Sequence, residues 1–171
     1  MRALVVYESM YGNTARIARA IGDGLAKRGV EVDVVAVDDV DASFDVDLLV
    51  VGGPTHAHGM SSSSTRLTAQ TDDKNPYDDP TLGAGLRGWL KEIPAGNGHA
   101  GAAFDTRFRH SALLTGSAAK GIAKRLEHHG HKVVTAPESF FVTKDNTLET
   151  GEVERAEVWA AGIAASIGAV R

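Results

Sequence analysis

The chain of 171 residues predicts an α/β fold, a parallel sheet covered by helices on both faces. Three observations lead there. Strand-length apolar runs alternate with helical stripes along the whole chain, in the order βαβαβαβαβα. The runs at 3–7 and 47–53 are almost unbroken in apolar residues, as strands buried on both faces are. No repeat and no linker divides the sequence, and its length suits one domain, 1–171, with a single core.

The elements follow in order. Residues 3–7 read as a buried strand. Over 14–28, Ile17, Ile21 and Leu25 recur every four residues among charged positions, and Gly29 follows as a C-terminal stop. "VEVDVVAV" (30–37) begins by alternating apolar and polar residues, as an edge or half-exposed strand does. The next helical signal, at "DDVDASFD", is the weakest. "DLLVVGG" (47–53) suits a central strand. Leu82, Leu86, Trp89, Leu90 and Ile93 form a further helical stripe. "HAGAAFDT" (99–106) reads as a strand. Ala118, Ile122 and Leu126 mark a helix ending at Gly130. "HKVVTAPESFFV" (131–142) is a fifth strand that Pro137 places at a sheet edge or a break. Ala156, Ala160, Ile163 and Ile167 stripe a last helix, whose first turn carries Glu152 and Glu154 at the positive end of its dipole.

Composition narrows the chemistry. A net charge of −4 provides no basic footprint for nucleic acid. The absence of cysteine excludes disulfides, thiolate catalysis and Cys-ligated zinc or iron–sulfur centres, so redox chemistry would need an organic cofactor. No secretory apolar region and no membrane-length apolar segment is present, and a cytoplasmic location is the expectation.

Three loops stand out where ligands bind in an open parallel sheet, outside the carboxyl ends of its strands. The first, "SMYGNT", comprises Ser9, Met10, Tyr11, Gly12, Asn13 and Thr14. Gly12 allows positive φ, and a helix begins near Thr14, so backbone amides can meet an anion there. An ordinary N-cap by Asn13 or Thr14 accounts for the same residues. There is neither a Lys-Ser/Thr of a Walker loop nor a G-x-G-x-x-G, so an anion here would be a single phosphate. The second, "GGPTHAHGMS", has Gly52 and Gly53 for close backbone approach to a ligand, then Pro54, Thr55, His56, Ala57, His58 and Gly59. The Asp-His that would complete a zinc site is missing. The two histidines are either solvated or flat against a planar ligand. The third, "FDTRF", brings Phe104, Asp105, Thr106, Arg107 and Phe108. Together the loops describe a site for a planar, monophosphorylated ligand. The polar stretch 61–80 is long for a connection and is either a mobile surface insertion or a lid. "HHGH" (128–131) reads as a solvated helix terminus. Trp89 and Trp159 read as packing residues.

These motifs resemble the flavodoxin-like family, in which a strand ends in an "x-G-N-T" phosphate turn and "G-x-P-T" follows the third strand. Here "SMYGNT" and "GGPTH" stand in those places, and the five-unit pattern covers essentially the whole chain. The resemblance implies a doubly wound sandwich with a five-stranded sheet of order 2-1-3-4-5, and FMN as cofactor. It implies that Ser9 to Thr14 hold the phosphate. Residues 54–59 would run along one side of the isoalloxazine, and 104–108 would approach the other side. His56 stands where the family typically has a large aromatic ring. Ala57 stands where a glycine is frequent. "PTHAHGM" also partly resembles the corresponding loop of divergent flavodoxin-like reductases.

The expected function is electron transfer through bound FMN, with redox proteins or a small-molecule acceptor as partners, in a monomer or homodimer. The alternative is an FMN-dependent NAD(P)H:quinone reductase using 61–80 as a lid. A receiver-type signalling domain shares the topology. It needs paired acids after strand one and an Asp ending strand three, where this chain has Glu8-Ser9 and Gly52.

Overall fold

Strand β1 (Arg2–Tyr7) lies inside the sheet, with a parallel neighbour on each side, in the computed structural model. The structure describes residues 1–41, 43–56, 59–73, 75–78, 80–109 and 116–168. The strands that follow are β2 (Glu31–Ala36), β3 (Leu48–His56), β4 (Gly59–Met60), β5 (Ala100–Phe108), β6 (Lys132–Val133) and β7 (Glu138–Val142). Among the described residues the helices are α1 (Asn13–Ala26), α2 (Ser63–Gln70), α3 (Gly85–Trp89), α4 (Ala118–His128) and α5 (Glu152–Gly168), with a 3-10 turn at Val37–Asp39 where a helix was expected after β2.

The sheet order is β2-β1-β3-β5-β6, with β7 also paired to β5. This is the doubly wound order 2-1-3-4-5, with two differences in strand count. The fifth strand is split: β6 and β7 both run parallel to β5, and the ladder breaks between Val134 and Glu138, around Pro137, which has no N–H to donate. The two-residue β4 adds an antiparallel hairpin to the end of β3, pairing Thr55 with Met60 and His56 with Gly59. Among the described residues, seven strands therefore stand in place of the expected five.

Each face of the sheet has its own apolar layer. Val5, Leu48, Val50 and Phe104 meet Ile17, Ile21 and Leu25 of α1 and Ala156, Ala160 and Ile163 of α5. Leu4, Val6, Leu49 and Val51 meet Leu86 and Leu90 at α3 and Ile122 and Leu126 of α4. Burying each large aliphatic side chain contributes about 1.5–3 kcal/mol, so these stripes decide which helix face turns inward. Trp159 packs edge-on against Phe104 and Phe140 in the first layer. Among the described residues, no helix is long and apolar enough to cross a membrane.

Several expectations are corrected. "GGPTH" and "FDTRF" are not loops: β3 continues through Pro54 to His56 and β5 through Phe108, paired in register up to Pro54–Thr106. The 61–80 stretch carries α2, whose "SSTRLTAQ" has no apolar stripe to announce it. It starts at a reciprocal cap in which Ser62 Oγ accepts from Thr65 N and Thr65 Oγ1 accepts from Ser62 N. Leu82 is 70% exposed and belongs to no helix, because α3 begins only at Gly85. His131 is buried instead of solvated, and neither ring nitrogen has a partner.

Candidate functional site

The first turn is held open by one side chain. Gly12 is the N-cap of α1 at φ 86°, ψ −12°, and makes no side-chain cap. The capping is done by Ser9, buried beneath the turn, whose Oγ accepts from Gly12 N at 3.1 Å and Ala15 N at 3.3 Å. Neither Asn13 nor Thr14 is the cap. Asn13 Nδ2 donates to the carbonyl of Asn146 at 2.8 Å, and Thr14 Oγ1 shares a 2.7 Å hydrogen bond with Thr106 Oγ1 across the sheet edge. No hydrogen bond among the described residues takes the amides of Tyr11, Asn13 or Thr14. Unpaired donors at a helix N-terminus, with the dipole behind them, suit an anion.

The back of this turn is buttressed by the segment 61–80 and by Thr81 just after it. Asn75 Nδ2 donates to Met10 O at 2.9 Å, Thr81 N to Ser9 O at 3.0 Å, and Tyr11 Oη to Asp72 Oδ2 at 3.4 Å. The Tyr77 ring is so close that a Cβ on Gly12 would lie 2.9 Å from it, a second reason beyond φ for glycine there. Burial, followed by the Asp72 charge, raises the Tyr11 hydroxyl above its ordinary pKa.

Beside the turn is a cavity of about 280 Å³ at the carboxyl edge of the sheet. It is lined by Met10, Tyr11, Asn13 and Thr14; by Pro54, Thr55 and His56; by Thr106, Arg107 and Phe108; and by Val142 and Asn146. Larger hollows exist elsewhere, including one of about 450 Å³ beside Asp47, His99 and Lys132 at the opposite end of the strands. Topology, not size, selects the cavity between the ends of β1 and β3. The structure thus brings ten of the expected residues together. Val142 and Asn146 are additions. Asn146 sits at φ 58°, a conformation Asn tolerates, and "DN" in "TKDNTLET" was the available turn signal.

Apart from Ser9 and Gly12, which shape the turn itself, the remaining expected residues are elsewhere. Strand alternation turns Phe104 into the core against Phe140, and its ring occupies the space that Gly52 leaves: a Cβ on Gly52 would lie 2.1 Å from Phe104 Cζ. Gly52 therefore accommodates a core ring, not a ligand. Asp105, fully buried, points to the opposite face. Its Oδ2 accepts from Thr55 Oγ1 at 2.9 Å, Ser117 Oγ at 2.8 Å and Ala119 N at 3.0 Å, tying β3 and the start of α4 to β5 behind the cavity. Gly59 lies in β4 and is not a lining residue. Ala57 and His58 fall outside the described residues.

Electrostatically the cavity is mild. Arg107 brings a cation, but its Nε donates to Ser139 Oγ at 3.0 Å and lies 3.9 Å from Asp105 Oδ1. His56 has Nε2 buried without a partner, and burial holds it below the ordinary histidine pKa, while the Glu8 charge pulls the other way. Glu8 is itself buried at the end of β1. Its Oε2 accepts from Leu86 N at 2.6 Å, and Oε1 has no partner. Sequence reading passed over Glu8 as a site residue, since nothing local shows that α3 and Arg66 close over it.

The family model described as flavodoxin matches residues 5–92, just over half of the chain. An uncharacterized protein of Methanocaldococcus jannaschii is 30% identical over 96 residues, 53% of this chain and 24% of that protein, so the chain spans about a quarter of that relative's length. Among solved structures, a flavodoxin from the domain Archaea superposes with a TM-score of 0.70 at 21% identity, covering 98% of this chain and 99% of that one. Rubredoxin oxygen:oxidoreductase from the anaerobe Desulfovibrio gigas gives a TM-score of 0.70 at 20% identity, over 98% of this chain and 36% of that one.

Proposed function

The chain belongs to the flavodoxin family, and from that premise we propose that it binds FMN in the cavity at the carboxyl edge of the sheet and carries electrons through it. The observation that supports this most is one cavity lined by two different kinds of group: the turn with the open amides of Tyr11, Asn13 and Thr14, and the flat side chains of His56 and Phe108. A monophosphorylated planar ligand matches both. Flavodoxins are themselves the type example of ligand binding at this switch point.

The residues present fit FMN. The amides of the turn and the Thr14 hydroxyl would hold the phosphate, with Ser9 fixing the turn from below. Pro54, Thr55 and His56 would form one wall of the ring site, and Thr106, Arg107 and Phe108 the other. FMN, when bound, supplies the electron-accepting group that a cysteine-free chain lacks. The protein's part is to orient the ring, to exclude water from one side, and to leave an edge open to a redox protein or a small-molecule acceptor. The quinone-reductase alternative calls for 61–80 above the ring. That segment instead supports the back of the turn, and none of its described residues lines the cavity, which favours the carrier.

The test is a fluorescence titration of apo-protein with FMN and with riboflavin. Charge-assisted hydrogen bonds contribute about 1.5–3 kcal/mol each, so FMN is expected to bind at least about 100-fold more tightly. Equal and feeble binding of the two flavins would overturn the proposal. Bleaching of the bound flavin by NADPH alone would replace the carrier with the reductase.

A further inference from the structure

Behind the turn, one side-chain amide is engaged on both its nitrogen and its oxygen. Asn75 Nδ2 donates to Met10 O at 2.9 Å and to Ala69 O at 3.1 Å, and its Oδ1 accepts from Tyr77 N at 3.0 Å. Both N–H donors of the amide and its carbonyl are thus in use. Turning the amide over would set its oxygen against two carbonyls, so the network fixes its orientation. Asn75 does not line the cavity; it ties the end of α2 to the turn from behind.

The bond to Met10 O has a directional consequence. In a planar trans peptide the C=O and the N–H point in opposite directions. With Met10 O held toward Asn75, the N–H of Tyr11 is turned away from the segment 61–80, and no hydrogen bond among the described residues takes it. Resting on the FMN reading, we propose that Asn75 is a positioning residue that aims the Tyr11 amide at the FMN phosphate and so sets the preference for a phosphorylated flavin.

The residues around this peptide are held by other groups. Ser9 N donates to Thr81 Oγ1 at 3.2 Å, and Ser9 O accepts from Thr81 N at 3.0 Å. Thr81 O in turn accepts from Gln70 Nε2 at 3.1 Å, and the Tyr11 hydroxyl donates to Asp72. None of these bonds fixes the plane of the Met10–Tyr11 peptide. No other hydrogen bond to Met10 O is made among the described residues. Met10 is buried, so without Asn75 its carbonyl would lack a partner. Turning the peptide over toward the cavity would relieve that carbonyl and withdraw the Tyr11 amide from the phosphate.

The experiment compares FMN with riboflavin, by flavin fluorescence titration, in the parent, Asn75→Ala and Gln70→Ala. Loss of one hydrogen bond to a charged group is expected to weaken FMN binding about tenfold or more in Asn75→Ala, with riboflavin affinity within about twofold of the parent's. Asn75→Leu keeps the bulk of the side chain without its donors, and the same outcome is expected. Gln70→Ala removes a bond between α2 and Thr81 without touching the turn, and is expected to keep the parent's ratio of FMN to riboflavin affinity. A second reading needs no variant: in isotope-labelled parent protein, FMN is expected to move the Tyr11 amide proton downfield and riboflavin to leave it in place. The role of Asn75 alone is overturned if its variants keep the parent's ratio, if Gln70→Ala lowers that ratio as far, or if the Tyr11 amide responds to both flavins alike. Absence of any preference for FMN in the parent overturns the phosphate reading and this role together.

Discussion

Replacing Gly24 with alanine adds one methyl group to α1 and sets two opposing effects against each other. In a helix interior, alanine is favoured over glycine by about 0.8–1 kcal/mol, so an exposed Gly24 would be stabilised by the change. Gly24 faces α5, however. Its Cβ would lie 2.5 Å from the carbonyl oxygen of Glu157, 2.8 Å from Glu157 Cα and 2.9 Å from Ala160 Cβ. Ordinary carbon contacts are about 3.5–4.0 Å, so the helices would have to separate by roughly 1 Å. Backbone atoms cannot rotate aside as a side chain could, and the separation would loosen Ile17, Ile21 and Ile163 together. Overpacking of this kind costs about 1–3 kcal/mol. The net expectation is a loss of about 1–2 kcal/mol, or a Tm lower by about 2–8 °C for a chain of this size. Gly162, on α5, is the control, because nothing lies within 4 Å of its Cβ position. Gly162→Ala should gain about 0.8–1 kcal/mol from propensity alone. Urea and thermal unfolding followed by far-UV circular dichroism would measure both variants. If Gly24→Ala proved as stable as the parent while Gly162→Ala behaved as expected, the close approach of α1 and α5 would be refuted.

Ser9→Ala deprives two amides, those of Gly12 and Ala15, of their acceptor. Stability should fall by about 2 kcal/mol and FMN affinity at least about tenfold; unchanged values in denaturation and flavin titration would count against Ser9 as the support of the turn. The histidine His131 should make stability acid-sensitive. Burial, followed by the charges of His99 and His129, holds it below the ordinary value of 6.5. Between its folded value and 6.5 the unfolded chain therefore binds more protons than the folded one, and stability declines as pH falls through that window. Urea midpoints from pH 7.5 to 5.5 should flatten in His131→Gln relative to the parent, and parallel profiles would rule out its contribution.

Much of the fold was legible because local periodicity reports which face of each element is buried. The stripe Ile17, Ile21, Leu25 and the continuous run at 47–53 needed no knowledge of their neighbours, and both are core. "SMYGNT" was legible for a different reason: positive φ at Gly12 is a local steric demand that few residues meet. The helix α2 was not legible, because its stability rests on a cap and on docking. Its buried residues are only Arg66 and Ala69.

What the sequence alone determined is therefore the alternation of the main strands and helices, the absence of cysteine and the glycine turn at the start of α1. The tertiary structure decided which groups meet at the site. Thr14 and Thr106 bond across 92 residues, and Glu8 accepts from Leu86 N across 78. It also turned Phe104 into the space left by Gly52, and Asp105 onto the start of α4. The reason is physical: a residue's own torsions and its near neighbours set its secondary structure, whereas its partner is whichever distant group the packed sheet brings within a few ångströms.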